Sequence, residues 1–315
     1  MRSDLNALAV FATVAEERSF RAAADRLGVT RSAVSQSIRR LEETLGAAIL
    51  HRTTRSVALT EAGERLRADI APAIAEMRAA MEGVRSLGGP PRGQLRIAVS
   101  SIAETFLSGP LLAGFARAFP EIQLDILVTD EDGDIVAMGF DAGVRLGEVI
   151  EQDMIAVSVS DDQRQLAVCS PVYLTERGRP EHPRDLARHR CIGWRPAPHR
   201  PPYRWEFAEG GREFAVDVAP EVTTNDMGFM IRMALSGAGI TFGMADTFRS
   251  FLERGELVPL LEEFSAPFAG FYLYYPNRRN VAPKLRALVD YVQRHRCNSN
   301  IDLPGSRRLQ RKPPP

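Results

Sequence analysis

Apolar residues at Leu5, Leu8, Ala9, Phe11, Ala12 and Ala15 recur at helical spacing, and that spacing predicts a first helix. Ser19 stands where an N-cap belongs, ahead of a short alanine-rich helix from Phe20 to Leu27. Gly28 and Val29 read as a turn, and Thr30 caps a third helix from about Arg31 to Leu45. Two short helices joined by a Gly-containing turn of about three residues make a helix-turn-helix. Along the third helix Ala33, Val34, Ile38 and Leu41 share one face and are expected to bury. Arg31, Ser32, Ser35, Gln36 and Arg39 share the other.

In such a unit the second helix enters the DNA major groove with its N-terminal half. A glutamine amide matches adenine, and an arginine fork matches guanine or a phosphate. Thr30 and the backbone N–H groups behind it can hold a phosphate. A plain solvated helix would show the same polar face, so the pattern alone leaves both readings open. After Leu45-Gly46 come Leu50-His51-Arg52, Arg55, Leu59-Thr60 and Ala62-Gly63. A short hairpin carrying Arg52 and Arg55 would lie beside the recognition helix as a wing.

Over residues 61–89 apolar side chains fall at Leu66, Ile70, Ala73, Met77, Met81, Val84 and Leu87. Steps of three and four make a narrow stripe suited to pairing with another helix. A helix of about 26 residues would reach roughly 39 Å, and Pro72 predicts a kink in it. Gly88-Gly89-Pro90-Pro91 is a strong breaker and sets a domain boundary.

Beyond the breaker the period changes. Strands are expected at residues 95–99, 123–128 and 142–146, with helices at 103–119 and 133–138 between them. A second set begins near residue 165, with a helix at 226–236 and a strand at 239–244. The strand at 271–275 and the helix at 283–296 are expected to return to the first set. Alternation of strands and helices implies a mostly parallel α/β sheet. Ligands in open sheets of that kind bind at strand carboxyl ends and helix N-termini. That points to Ser100 and Ser101, through free N–H groups and hydroxyls, and to Arg145, Thr223 and Thr224. Asp226 reads as a helix N-cap. Arg145 reads equally well as the partner of a surface acid. Residues 297–315, with Arg307, Arg308, Arg311, Lys312 and four prolines, read as a disordered basic tail.

The ordered set Phe11, Ser19-Phe20, Ala22-Ala23-Ala24, Leu27, Ser32-Ala33-Val34-Ser35, Ile38, Leu41-Glu42, Leu45-Gly46, Leu50, Arg52, Leu59-Thr60 and Ala62-Gly63 resembles the DNA-binding domain of the LysR-type transcriptional regulators. The match runs over residues 4–63 without a gap, with His51 where the family commonly has Phe. Gly93-Gln94-Leu95-Arg96-Ile97, Phe119-Pro120, Asp141-Ala142-Gly143-Val144-Arg145 and Gly237-Ala238-Gly239-Ile240 resemble that family's effector-binding domain, to about residue 296. The resemblance implies an α/β protein overall. An all-α winged helix-turn-helix (1–60) would be joined by a linker and dimerisation helix (61–89) to a two-lobed domain like a periplasmic binding protein (93–296). It implies Ser100 and Ser101 in the effector cleft. It also implies promoter DNA, a small anionic or aromatic effector, a second copy in a homodimer or homotetramer, and RNA polymerase as partners. The competing reading is a small-molecule sensor or solute-binding protein whose N-terminal domain only dimerises.

Composition narrows the remaining classes. With 315 residues, 44% hydrophobic and 25% charged, the chain has room for two or three globular domains. Cys169, Cys191 and Cys297 have no metal or redox spacing and fit a reducing compartment. No signal peptide and no apolar run of ~18 residues is found, so a cytoplasmic protein away from the membrane is expected. Glycine spacing gives no dinucleotide fingerprint or P-loop, and there is no G-x-S-x-G elbow. The five histidines are scattered, so neither a catalytic centre nor a metal or other cofactor finds support. Forty basic residues balance forty acidic ones, and all the basic ones are arginine except Lys284 and Lys312. The balance hides a division: residues 1–60 carry nine arginines and six acids, a charge of +3, and residues 297–315 carry four bases and one acid, also +3. Residues 61–296 therefore hold −6, an acidic body behind a basic head.

Overall fold

The computed structural model describes residues 2–52, 57–85, 89–107, 109–131, 133–277 and 280–299. The N-terminal helices are α1 (Arg2–Glu17), α2 (Phe20–Leu27) and α3 (Arg31–Leu45), followed by the hairpin β1 (Leu50–Arg52) and β2 (Val57–Leu59). Ser19 Oγ accepts from the Ala22 N–H at 3.2 Å, and Gly28 ends α2 in the left-handed region at φ 66°. Both features stop one helix and start the next within three residues. Phe11, Val14, Ala23, Val34, Ile38 and Ile49 interlock as the head's core. Each large member contributes ~1.5–3 kcal/mol by leaving water. Ala33, expected inside, is exposed. It lies in the first turn of α3, on the wall of an open surface hollow that it shares with Ala7 of α1 and with Gln36.

A single helix, α4 (Glu61–Arg85), leaves the head. Its stripe divides by location. Leu66 and Ile70 pack on the head's core, whereas Met77, Met81 and Val84 are 55–68% exposed. The approach at its start is close: a Cβ on Gly63 would lie 2.0 Å from the Ile49 carbonyl oxygen.

The remainder forms two lobes with one plan. In the first lobe the strand order is β4 (Ile122–Val128), β3 (Gly93–Val99), β5 (Ala142–Leu146), β15 (Phe271–Pro276), β6 (Met154–Ser158). In the second it is β11 (Pro220–Thr224), β8 (Cys191–Trp194), β12 (Ile240–Met244), β7 (Gln163–Cys169), β13 (Val258–Leu260), with β14 (Pro267–Phe268) also on β7. A hairpin of β9 (Trp205–Glu209) and β10 (Arg212–Val216) covers the second lobe. Trp205 stacks on Phe242 there at 5.0 Å. Each main sheet is mixed rather than mostly parallel: two parallel pairings are followed by two antiparallel ones. The reason lies in delivery. β15 arrives from the other lobe and not through a helical crossover, so no right-handed unit forces it parallel. As expected, β15 and α10 (Pro283–Ser299) complete the first lobe, where Leu288 and Val292 pack with Phe115.

The helix expected over 103–119 is two, α5 (Glu104–Leu107) and α6 (Pro110–Ala118), because Pro110 starts a new helix and donates no hydrogen bond. Residues 133–138 form turns and no helix: Asp134 Oδ1 accepts from Val136 N–H, and the turn closes at Gly139 with φ 82°. The second lobe also carries α7 (Pro171–Arg177), α8 (Met227–Leu235) and α9 (Ala245–Glu253). The tail beyond residue 299 lies outside the described residues.

Candidate DNA-binding head and effector cleft

On α3 the side chains of Arg31, Ser32, Gln36 and Arg39 are exposed and Ser35 is half-buried. Thr30 Oγ1 accepts from the Ala33 N–H at 3.2 Å and lies 2.9 Å from Ser32 Oγ. Ser19 and Thr30 therefore act first as caps that fix the ends of the two helices. Sequence reading missed Ser37 and Arg40, which line a hollow with Gln36. Arg40 stands four residues after Gln36, and the helical period alone would have placed them side by side. It also missed the task of Glu42. One carboxylate oxygen of Glu42 accepts from the N–H groups of Ile49 (3.1 Å) and Leu50 (3.4 Å), so the recognition helix anchors the first wing strand directly. His51 is exposed on that strand, next to the buried Leu50. Arg55 and the side chain of Arg52 lie outside the described residues, although Arg52 ends β1 as a wing residue would.

In the first lobe β3 ends at Val99, and Ser100 and Ser101 follow. Their N–H groups are not free, contrary to expectation. Ser100 donates to the Val144 carbonyl at 3.1 Å and Ser101 to Asp130 Oδ1 at 2.8 Å. Strand β5 claims the first and the loop after β4 the second. Their hydroxyls are different: both oxygens are buried and have no hydrogen-bond partner. Each such orphan costs ~1–3 kcal/mol. Among the described residues Arg145 forms an ion pair with no acid; its Nη2 donates to the Glu131 carbonyl at 2.6 Å. The 129–131 loop thus gathers Ser101 and Arg145 at the carboxyl ends of β3 and β5.

In the second lobe Thr223 and Thr224 end β11, opposite Gly193 and Trp194 of β8. Asp226 caps α8 as expected, accepting from the Phe229 N–H at 2.6 Å, and Thr224 Oγ1 accepts from the Asp226 N–H at 3.1 Å. Trp194 was not anticipated. Its indole Nε1 is a third buried polar atom without a partner. Its position at a strand's carboxyl end was the available signal. Thr223 and Thr224 sit next to Trp194, and no hydrogen bond or ion pair among the described residues joins them to Ser100 or Ser101.

A separate cavity of about 370 Å³ lies against β9 and β10, lined by Glu148, Gln165, Tyr203, Glu206 and Phe268 among others, and none of the expected effector residues borders it. Tyr203 donates to Glu206 at 2.7 Å, and burial together with that carboxylate raises its phenol far above the ordinary range. Burial pushes the thiols of Cys169 and Cys191 up to about 11 and about 12. Both remain protonated at neutral pH and are poor nucleophiles. Among the described residues no group of His, Cys, Asp and Glu is arranged to hold a metal, and no helix is long and apolar enough to cross a membrane.

Comparison with known proteins agrees with this division. Residues 5–64 match the family described as "Bacterial regulatory helix-turn-helix protein, lysR family", and residues 88–296 match the "LysR substrate binding domain". The chain is 38% identical over 304 residues to the HTH-type transcriptional regulator YcaN of Escherichia coli, covering 94% of this chain and 99% of that protein. It is similar to the solved structure of CrgA, a LysR-type transcriptional regulator from Neisseria meningitidis, with 30% identity, a TM-score of 0.55, and coverage of 92% and 98% of the two chains. The full-length structure of the Vibrio cholerae virulence activator AphB shares the fold, at a TM-score of 0.60 and 24% identity over 92% of this chain and 98% of that one. The chain belongs to the LysR family of bacterial helix-turn-helix transcriptional regulators, with a DNA-binding head joined to a ligand-responsive sensor domain.

Proposed function

We propose that α3 lies in the major groove with Ser32, Ser35 and Gln36 toward base edges and Arg31, Arg39 and Arg40 toward bases or phosphates. Arg52 and Arg55 extend the phosphate contacts along the wing, and the caps Ser19 and Thr30 present N–H-rich helix starts to the backbone. Two copies, paired through the exposed end of α4, set two heads on half-sites about one DNA turn apart. Homodimer or homotetramer, cytoplasmic location and contact with RNA polymerase at the promoter belong to the same reading.

The effector binds at Ser100 and Ser101, with Arg145 in the same lobe and Thr223 and Thr224 across the cleft. The observation that carries this is three of the four orphaned buried atoms among the described residues, two serine hydroxyls and the Trp194 N–H; the fourth, Arg67 Nε, lies on α4. An indole N–H only donates, and a serine hydroxyl can donate. A ligand that satisfies the serine hydroxyls or the indole presents acceptor oxygens, as a carboxylate does. The test is a gel shift of the full chain on its own upstream DNA across a salt series, repeated with small aliphatic and aromatic carboxylates. Affinity should fall steeply with salt, and at least one carboxylate should move it. Binding without a salt slope would sink the DNA reading; a Ser100→Ala, Ser101→Ala chain that still responds to the carboxylate would sink the cleft assignment.

A further inference from the structure

Lys284 stands apart in a chain that uses arginine for nearly every cation. It lies in the first turn of α10 with its side chain only 10% exposed. Its ammonium donates to the Gln94 carbonyl at 2.5 Å and pairs with Asp141 at 3.3 Å and Glu82 at 3.5 Å. Three oxygens thus stand within 3.5 Å of an ammonium that has three donors. Gln94 and Asp141 belong to the first lobe. Glu82 belongs to α4, whose other half is packed into the head by Leu66 and Ile70. Lys284 therefore joins two bodies that the Gly/Pro breaker at 88–91 would otherwise leave loosely tethered.

A second contact lies on α1. Glu16 accepts from Arg26 of α2 at 2.7 Å and faces Arg78 of α4 at 3.8 Å. It also lies against the first lobe: a Cβ on Gly139 would be 3.6 Å from the Glu16 carboxyl carbon and 3.1 Å from Arg96 Nη1. Arg96 in turn bonds the Gly139 carbonyl (3.2 Å) and Asp125 (3.1 Å). Around these contacts a cavity of about 430 Å³ opens between head, α4 and first lobe. A junction that contains such a void is not held as a packed core is. Paired charges hold it.

These contacts sit at one end of two strands. Gln94 and Arg96 lie in the first half of β3, which ends at Ser100. Asp141, which accepts from the Arg96 N–H at 2.9 Å, directly precedes β5, which carries Arg145 near its end. Six residues of strand span ~20 Å. We propose that the junction is an ionic latch, with Lys284 as its pin, that ties the DNA-binding head to the amino ends of β3 and β5. A ligand at the carboxyl ends would shift the same two strands and so strain or seat the latch. The latch stands on its own contacts; its use by a ligand rests on the cleft assignment, and the test below contains no ligand.

Spin labels at Arg21→Cys on the head and Glu121→Cys on the first lobe report the separation by pulsed electron resonance, in the full chain with Cys297→Ser and diluted with unlabelled copies. The latched chain gives one narrow distance distribution. Glu82→Lys sets a second cation beside Lys284 and should at least double the width of that distribution. Glu76→Lys, on the same helix but away from the junction, should leave it unchanged. Lys284→Met should match Glu82→Lys; if that buried change prevents folding, Glu82→Lys decides alone. A broad distribution in the parent chain, or equal widths for Glu82→Lys and Glu76→Lys, overturns the latch.

Discussion

Exchanging two glycines of α4 for alanine, one at a time, should move stability in opposite directions. In a helix Ala is favoured over Gly by ~1 kcal/mol. At Gly83 nothing lies within 4 Å of the added methyl, so that gain is expected almost intact. At Gly63 the methyl would sit 2.0 Å from the Ile49 carbonyl oxygen and 3.1 Å from Leu59 Cδ2. Ordinary carbon–oxygen contacts are more than an ångström longer, and a backbone oxygen inside the head cannot swing away. The start of α4 must lift off β2 instead, loosening Leu66 from the core. Overpacking costs ~1–3 kcal/mol where side chains can yield, and here the upper end applies because the obstacle is main chain. Subtracting the helix gain leaves Gly63→Ala destabilised by about 1–2 kcal/mol, some 2–3 kcal/mol below Gly83→Ala. Urea unfolding followed by circular dichroism at fixed protein concentration reads the difference. Gly63→Ala should also weaken the gel shift, since α4 and the wing move together. Equal stability changes of the same sign at both positions would refute the steric account.

Ser100→Ala removes an unsatisfied buried hydroxyl and should raise the melting temperature of the ligand-free chain, while cancelling any carboxylate-induced thermal shift; a fall in stability would mean the hydroxyl has a partner. Cys169 and Cys191 should resist iodoacetamide at pH 8 in the folded chain and react on unfolding. Because burial raises both thiols above their unfolded value of 9.0, to about 11 and about 12, the stability tied to their protonated forms is fully present below pH 9 and is lost as the pH rises through those values. Rapid labelling of the native thiols at pH 8 would contradict the burial. Gln36→Ala should cost ~1–3 kcal/mol and relax preference at one base pair, whereas Arg52→Ala should weaken all sequences alike and lower the salt slope by about one; a panel of single-base operator variants separates the two.

Local chemistry made the head readable in advance. Caps at Ser19 and Thr30 and the Gly28 turn act within a few residues, and each falls where the spacing places it. The sensor domain was readable only where helix and strand alternate. Its hairpin was missed although the cue was present: Gly210-Gly211, both at positive φ, sit between alternating Trp205, Phe207 and Phe214, Val216. The turn at 133–138 looked helical because Ile135, Val136 and Met138 are apolar, yet Gly139 and the Asp134 side chain close it after one turn. Ala33 shows the limit of a helical wheel, which says which residues share a face but not which of them a neighbour covers. The orphaned Trp194 nitrogen and the partners of Lys284 depend on residues 30 to 200 positions away, and no local pattern encodes them.

The late return of β15 has a consequence for synthesis. The head is complete once α4 has begun to emerge, but the first lobe lacks its fourth strand until residue 276 and its closing helix until residue 299. At ~5–20 residues per second the ribosome needs roughly 10–45 s for that interval. Throughout it a folded DNA-binding head hangs from an unfinished sensor. A product cut short before residue 271 would keep the reading helix and lose the sensor's first lobe. It could occupy operator DNA without answering to any ligand, so nonsense lesions late in the coding sequence should act dominantly, by blocking sites that the intact regulator needs.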